Sequence, residues 1–213
     1  MDYSIVERNL HKVFPNVSRE TCIDLEKYID LIIQENNVIN LISRANVNRE
    51  YILKRHIIDS MQIIDFIDFN QKKITDLGSG SGFPAIILAI LTKFKNSRSK
   101  IYLYEKSYKK CQFLKKTSEV LKLNTEIIQK NIHDEKDNSE MIITSRAFKP
   151  LPIVLDIVDK NFKNYTNLIL FMGKSGKKIL KQTLNKWNLS YQVKESITNK
   201  DSFILNIISA KKL

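Results

Sequence analysis

Apolar positions in the first third of the chain recur at three- and four-residue steps. Leu25, Tyr28, Ile29, Ile32 and Ile33 fall on one helical face, and Ser18 stands where an N-cap belongs. In "REYILKRHIIDSMQIIDFI", Ile52, Leu53, Ile57, Met61 and Ile64 again share one side. No strand-like alternation intervenes, so residues 1–70 read as a helical region. After Gln71 the pattern changes. "KITDL", "KIYLYE", "NTEIIQK", "MIITS" and "NLILFMG" are short and β-rich. Helical stretches separate them: "FPAIILAILTKF", "YKKCQFLKKTSEVLKL" and "LPIVLDIVDKNF", with "SGKKILKQTLNKW" after the fifth strand. Pro84 suits the first turn of its helix, where a missing N–H costs nothing. "LSYQVKESI" and "SFILNIISA" end the chain as a strand pair. Strands alternating with helices predict an open, mostly parallel α/β sheet over residues 71–213. In such sheets ligands lie at the carboxyl ends of the strands, where strand order reverses.

Composition narrows the setting. The chain has 213 residues and only two cysteines, Cys22 and Cys111, without metal-ligand spacing around them. A disulfide framework and a metal site are not expected, and a reducing cytoplasm fits. No apolar run approaches the ~18–20 residues of a membrane helix, and "MDYSIVERNLHK" lacks a secretory apolar core. The net charge of +12 points to a polyanionic partner such as RNA. Of the 35 basic residues 28 are Lys and the chain is rich in Ile and Asn, a mix that AT-rich codons also supply.

The sharpest local signal is "ITDLGSGSGFPAIILAI", with Gly78, Gly80 and Gly82 between a strand and a helix. A P-loop requires Gly-Lys-Ser/Thr, and Phe83-Pro84 follows Gly82 instead. A dinucleotide loop requires a third glycine at the position Phe83 fills. S-adenosylmethionine has no phosphate and needs close backbone approach, which small residues permit. Asp76 precedes the loop, placed to meet the donor's ammonium group. Glu105, at the end of the second strand, is placed for the ribose hydroxyls; its alternative is a solvated charge paired with Lys109 or Lys110. A nicotinamide oxidoreductase is disfavoured by Phe83-Pro84.

"NLISR" (residues 40–44), "RHIIDSM" (55–61), "DLGSGSGFPAI" (76–86), "EKSYKKCQFLK" (105–115) and "TSRAFKPL" (144–151) occur in an order and spacing that resemble the bacterial 16S rRNA (guanine-N7) methyltransferases of the RsmG/GidB type. The glycine loop is common to many methyltransferases. The Arg-His-x-x-Asp-Ser block before it and Ser-Arg-Ala-Phe after the fourth strand are far more specific. The resemblance implies a Rossmann-like class I methyltransferase sheet of about seven strands with an N-terminal helical extension, and S-adenosylmethionine as cofactor. It implies that Gly78 and Phe83 contact the donor, that Ile132 and His133 line the adenine, and that Arg146 borders the donor pocket. It also draws Arg55, His56 and Asp59, with Arg44 and Arg146, toward RNA or the site. The chain departs from the family at Ala85, where glycine is usual, and at Met172-Gly173-Lys174, where Lys-Gly often ends the fifth strand.

Residue by residue, plainer readings stand beside these. Arg146 fits a structural ion pair, Arg55 and Asp59 a surface pair one helical turn apart, and His56 a packing residue. The lysines of "KSYKKCQFLKK" fit a solvated face that also meets RNA phosphates. The acceptor chemistry follows from what is missing. An amino-group methylase motif of the Asn/Asp-Pro-Pro-Tyr type is absent after the fourth strand. Methylation of pyrimidine C5 needs a cysteine nucleophile, and Cys111 sits inside a helix. Guanine N7 carries a lone pair and no proton, so no general base is nominated. The expected partner is 16S rRNA or the small ribosomal subunit, with the protein a monomer and no membrane or metal involved. The alternatives are another acceptor, a small molecule or protein, or a non-catalytic RNA-binding protein retaining a donor pocket.

Overall fold

The computed structural model describes residues 4–95 and 97–213. The N-terminal helices are α1 (Ile5–His11) and α2 (Arg19–Glu35). Ser4 and Ser18 cap them, accepting from the backbone N–H of Glu7 and Thr21. The next apolar stretch is not one regular helix. α3 (Arg49–Ile52) runs into a π-helical segment, Leu53–Ile58, and then α4 (Asp59–Met61). Such wide turns interrupt α-helices frequently at functional sites, and this one carries Arg55 and His56.

Seven strands are found among the described residues: β1 (Lys73–Leu77), β2 (Lys100–Tyr104), β3 (Thr125–Ile128), β4 (Met141–Arg146), β5 (Tyr165–Met172), β6 (Trp187–Glu195) and β7 (Phe203–Lys212). Their order is β3-β2-β1-β4-β5-β7-β6. β1 to β5 pair in parallel, and β7 joins β5 antiparallel, with β6 antiparallel on β7. Strand order reverses between β1 and β4, as the alternating pattern predicts. The intervening helices are α5 (Ala85–Phe94), α6 (Tyr108–Leu121), α7 (Leu151–Asn161) and α8 (Gly176–Thr183). Two boundaries differ from the sequence expectation. Pro84 is the N-cap of α5 rather than a residue of its first turn. α8 stops at Thr183, and Trp187, read as its continuation, begins β6, burying its ring beside Leu189 and Leu180.

β1 and β4, at the centre of the sheet, are buried on both sides because apolar layers cover both faces. Ile74, Ile101, Leu103, Ile142 and Ile169 join one core with α2, α5 and α6. Leu77, Ile143, Leu168 and Leu170 join the other, with α7. The N-terminal helices belong to the first core: Val6, Leu25, Ile29 and Ile57 are fully buried in it. The change near residue 70 is therefore one of element type, within a continuous apolar interior.

Candidate functional site

A cleft of about 710 Å³ opens over the carboxyl ends of β3, β2, β1 and β4, with Leu41, Ile42 and His56 of the N-terminal region on its wall. The glycine loop forms its floor. Gly78, Gly80 and Gly82 all take positive φ, 72°, 57° and 100°, a region costly for residues with a Cβ. Space also requires two of them. A Cβ on Gly78 would lie 2.3 Å from the ring of Phe148, and one on Gly82 would lie 2.5 Å from Ile86 and 2.7 Å from the Tyr28 hydroxyl.

Three groups fix the loop. The Gly78 and Ser79 N–H groups donate to the Tyr104 carbonyl at 2.9 and 3.0 Å. Glu105, at the end of β2, accepts from Gly80 N–H through Oε2 at 2.9 Å and from Ser107 N–H through Oε1 at 2.8 Å. It is not paired with Lys109 or Lys110. Each oxygen retains a lone pair for a ligand hydroxyl, and Glu105 lines the cleft. From the opposite side the Tyr28 hydroxyl donates to the Ser81 carbonyl at 2.6 Å. Tyr28 is fully buried and its hydroxyl pKa is pushed well up by burial.

Asp76 lies beneath the loop. Its side chain is buried and is not among the residues that line the cleft. Oδ1 accepts from the Thr144 hydroxyl at 2.7 Å, and Oδ2 has no protein partner. Burial raises its pKa to about 7, against the pull of the nearby Ser79 and Thr144 hydroxyls. Gly82 also lies outside the lining, while Phe83, Ile132 and His133 are in it. The last two sit on the short turn Ile132–Asp134 after β3, which the Asn131 side chain caps.

The two most specific sequence blocks meet in space. Arg146 leaves the end of β4 and donates from one terminal nitrogen to His56 Nδ1 at 3.0 Å. Its other terminal nitrogen donates to the Arg55 carbonyl at 2.8 Å and lies 3.2 Å from Asp59 Oδ2. The guanidinium stands 5.7 Å from the Phe83 ring centre and 5.8 Å from that of Phe171. His56 stacks on Phe83, with ring centres 4.8 Å apart and planes 15° from parallel. Burial, then Arg146 and Arg55, holds the His56 pKa at about 3, so its imidazole is neutral. Asp59 Oδ1 in turn accepts from Gln62 at 2.8 Å and from the Thr198 hydroxyl at 2.6 Å. Arg55 and Asp59 are thus joined through Arg146 rather than as a surface pair. Ala147, next on the cleft wall, holds φ at 53°, and Phe148 turns back onto Gly78. Arg44 is exposed, at the start of the turn Arg44–Asn46, and lies outside the lining.

Sequence reasoning missed three supports. Tyr28 was legible only as a helix-face residue, though a tyrosine among aliphatic core residues signals a partner for its hydroxyl. Asn36, buried, accepts from the N–H groups of Leu41 and Ile42 and holds them at the cleft. Thr198 carries no sequence signal. Among the lysines, Lys106, Lys110, Lys130 and Lys149 stand on the cleft wall. Cys111 is buried and donates its thiol to the Glu105 carbonyl at 3.2 Å.

Residues 21–208 match the family model GidB, described as rRNA small subunit methyltransferase G. The chain is 50% identical over 197 residues to the ribosomal RNA small subunit methyltransferase G of Pelagibacter ubique, covering 92% of each chain. It is 35% identical over 198 residues to the protein of that name from Rickettsia bellii, covering 93% of this chain and 98% of the relative. In solved structures the fold is shared with an O-methyltransferase from Bacillus cereus in complex with SAH, at a TM-score of 0.58 and 14% identity over 97% of this chain and 98% of that one. It is also shared with a SAM-dependent methyltransferase from Aquifex aeolicus, at a TM-score of 0.54 and 16% identity over 76% of this chain and 95% of that one.

Proposed function

The chain belongs to the GidB family, rRNA small subunit methyltransferase G, and from that membership we propose that it transfers the methyl group of S-adenosylmethionine to N7 of one guanine in 16S ribosomal RNA, at the position conventionally numbered 527. It acts in the cytoplasm on the small ribosomal subunit or its RNA. The observation that carries this reading is the meeting of Arg146 with His56 and Asp59 beside a glycine-floored cleft. The two family-specific blocks thereby form one wall of the site.

The residues present fit the donor. Glu105 offers carboxylate lone pairs at the end of β2, where hydroxyls of a ribose would sit. Gly78 and Gly80 let a ligand approach the backbone, and Ile132 and His133 provide a wall after β3. When bound, the donor would supply a sulfonium methyl for the N7 lone pair, its sulfur would keep the S–C electron pair as a thioether, and guanine would take the positive charge. No proton moves, so no side chain needs to act as a base. What the chain supplies is alignment of the two partners and exclusion of water. Glu105 holds the loop by Gly80 N–H, Tyr28 holds it by the Ser81 carbonyl, and the Arg146 cluster closes the β4 side.

The test is incubation with methyl-labelled donor and small subunits lacking the endogenous modification, with label mapped by cleavage at 7-methylguanine. Label at one guanine of 16S rRNA is expected. Donor binding without label would move the acceptor elsewhere. Transfer that survives ribonuclease would move it to a protein or a small molecule.

A further inference from the structure

The acceptor side of the cleft follows from its donor side. A donor held with its ribose at Glu105 on β2 and its adenine against Ile132 after β3 would leave the β4 side of the cleft and the N-terminal wall for the acceptor. Leu41, Ile42, His56, Arg146, Ala147 and Phe148 line that part. Within that group His56 is the single neutral side chain that carries a hydrogen-bond donor.

The structure also assigns which nitrogen carries the proton. A guanidinium only donates, so the 3.0 Å contact from Arg146 makes His56 Nδ1 an acceptor. The proton of the neutral ring is then on Nε2. The ring is pinned by its stack on Phe83 and by the edge of Tyr51, 5.7 Å between centres at 74°. Arg146 is itself committed to His56, the Arg55 carbonyl and Asp59, and Asp59 offsets its charge.

We propose that His56 reads the target base by donating Nε2–H to guanine O6, which rests on the guanine-N7 reaction proposed above. N7 and O6 are neighbours on one edge of guanine, and both accept hydrogen bonds. N7 must stay free for the methyl group, which leaves O6 as the acceptor to be read. Adenine presents an amino donor at that place, so Nε2–H would face N–H and reject it. A neutral donor is the suitable kind. A cation on O6 would draw density from N7 and repel the charge that guanine gains in the transition state.

The experiment compares small subunits carrying guanine at the target with subunits carrying 2-aminopurine, which keeps N7 and lacks O6. kcat/KM is measured on both for the unaltered protein and for His56→Phe, which keeps the stack on Phe83. The intrinsic difference in N7 reactivity cancels in the ratio of ratios, as does the active fraction of each preparation. The preference for guanine is expected to be about tenfold or more larger in the unaltered protein than in the variant, the range of one buried hydrogen bond left unmade. A ratio of ratios near one overturns the assignment. A second measurement needs no variant: nitrogen-15 spectra of the imidazole at neutral pH are expected to show a neutral ring protonated at Nε2, and a proton on Nδ1 or an imidazolium overturns it. If the unaltered protein labels no guanine N7 at all, the reaction proposed above fails, and this assignment with it, whichever tautomer is seen.

Discussion

Replacing Asp76 with Asn separates the electrostatic cost of a buried carboxylate from its hydrogen bonding. The folded-state pKa of about 7 lies above the ordinary value of 3.8. Between those values the folded protein holds a proton that the unfolded chain has lost, so stability from this group is present at low pH and declines as pH rises toward 7. The full span corresponds to about 4 kcal/mol at 1.36 kcal/mol per unit. Asparagine keeps an acceptor for the Thr144 hydroxyl and places an amide N–H₂ where Oδ2 has no protein partner. That amide carries a desolvation cost of about 1–3 kcal/mol that does not change with pH. The diagnostic quantity is therefore the pH dependence of the difference, not its value at one pH. Urea unfolding of both proteins from about pH 5 to about pH 8.5 is expected to show the variant gaining about 2.5 kcal/mol on the unaltered protein, with most of the gain below about pH 7.5. A difference that stays constant across the series would refute the buried, proton-holding Asp76.

Tyr28→Phe keeps the ring contact with Phe83 but loses the donor to the Ser81 carbonyl. It is expected to cost about 1–2 kcal/mol in urea unfolding and to weaken donor binding several-fold; unchanged stability and affinity would show that this bond does not hold the loop. Glu105→Ala removes the acceptor of two backbone N–H groups, and equilibrium binding of labelled donor should weaken at least tenfold, while an unchanged Kd would remove Glu105 from the donor site. Thr198→Val removes a hydroxyl that donates to Asp59, and kcat/KM for subunits should fall about three- to tenfold with donor Kd unchanged. Thr198→Ser should restore it, and equal activity of Thr198→Val would show that Asp59 holds Arg146 without the hairpin.

Much of the fold is legible because its cause is periodic. The two-sided burial of β1 and β4 follows from apolar runs such as "MIITS", and the cap Ser18 acts locally. The break at Leu53–Ile58 is not legible, because Ile52, Leu53, Ile57 and Met61 fit a regular helix face equally well. What sets the wider turn is tertiary: the Arg55 carbonyl turns to Arg146, 91 residues away. The glycine loop and Glu105 were readable because strand–loop–helix chemistry is short-range. The convergence of Arg55, His56 and Asp59 on Arg146 was visible only as the co-occurrence of two motifs. The depth of Asp76 is not readable either: a residue at the end of a parallel strand points either to the cleft or under the loop, and spacing alone does not choose.

The sequence separations of these contacts divide the cleft in time. Gly80 and Glu105 are 25 residues apart, whereas Asp59 and Thr198 are 139 apart. Closing the longer loop costs about 1.5 kcal/mol more chain entropy, and during synthesis Thr198 emerges after Asp59, Glu105 and Arg146. The donor half of the cleft is thus written into a stretch of chain that assembles on its own neighbours. The acceptor half waits for the last hairpin, so a nascent chain can hold its floor and one wall well before it can close on a base.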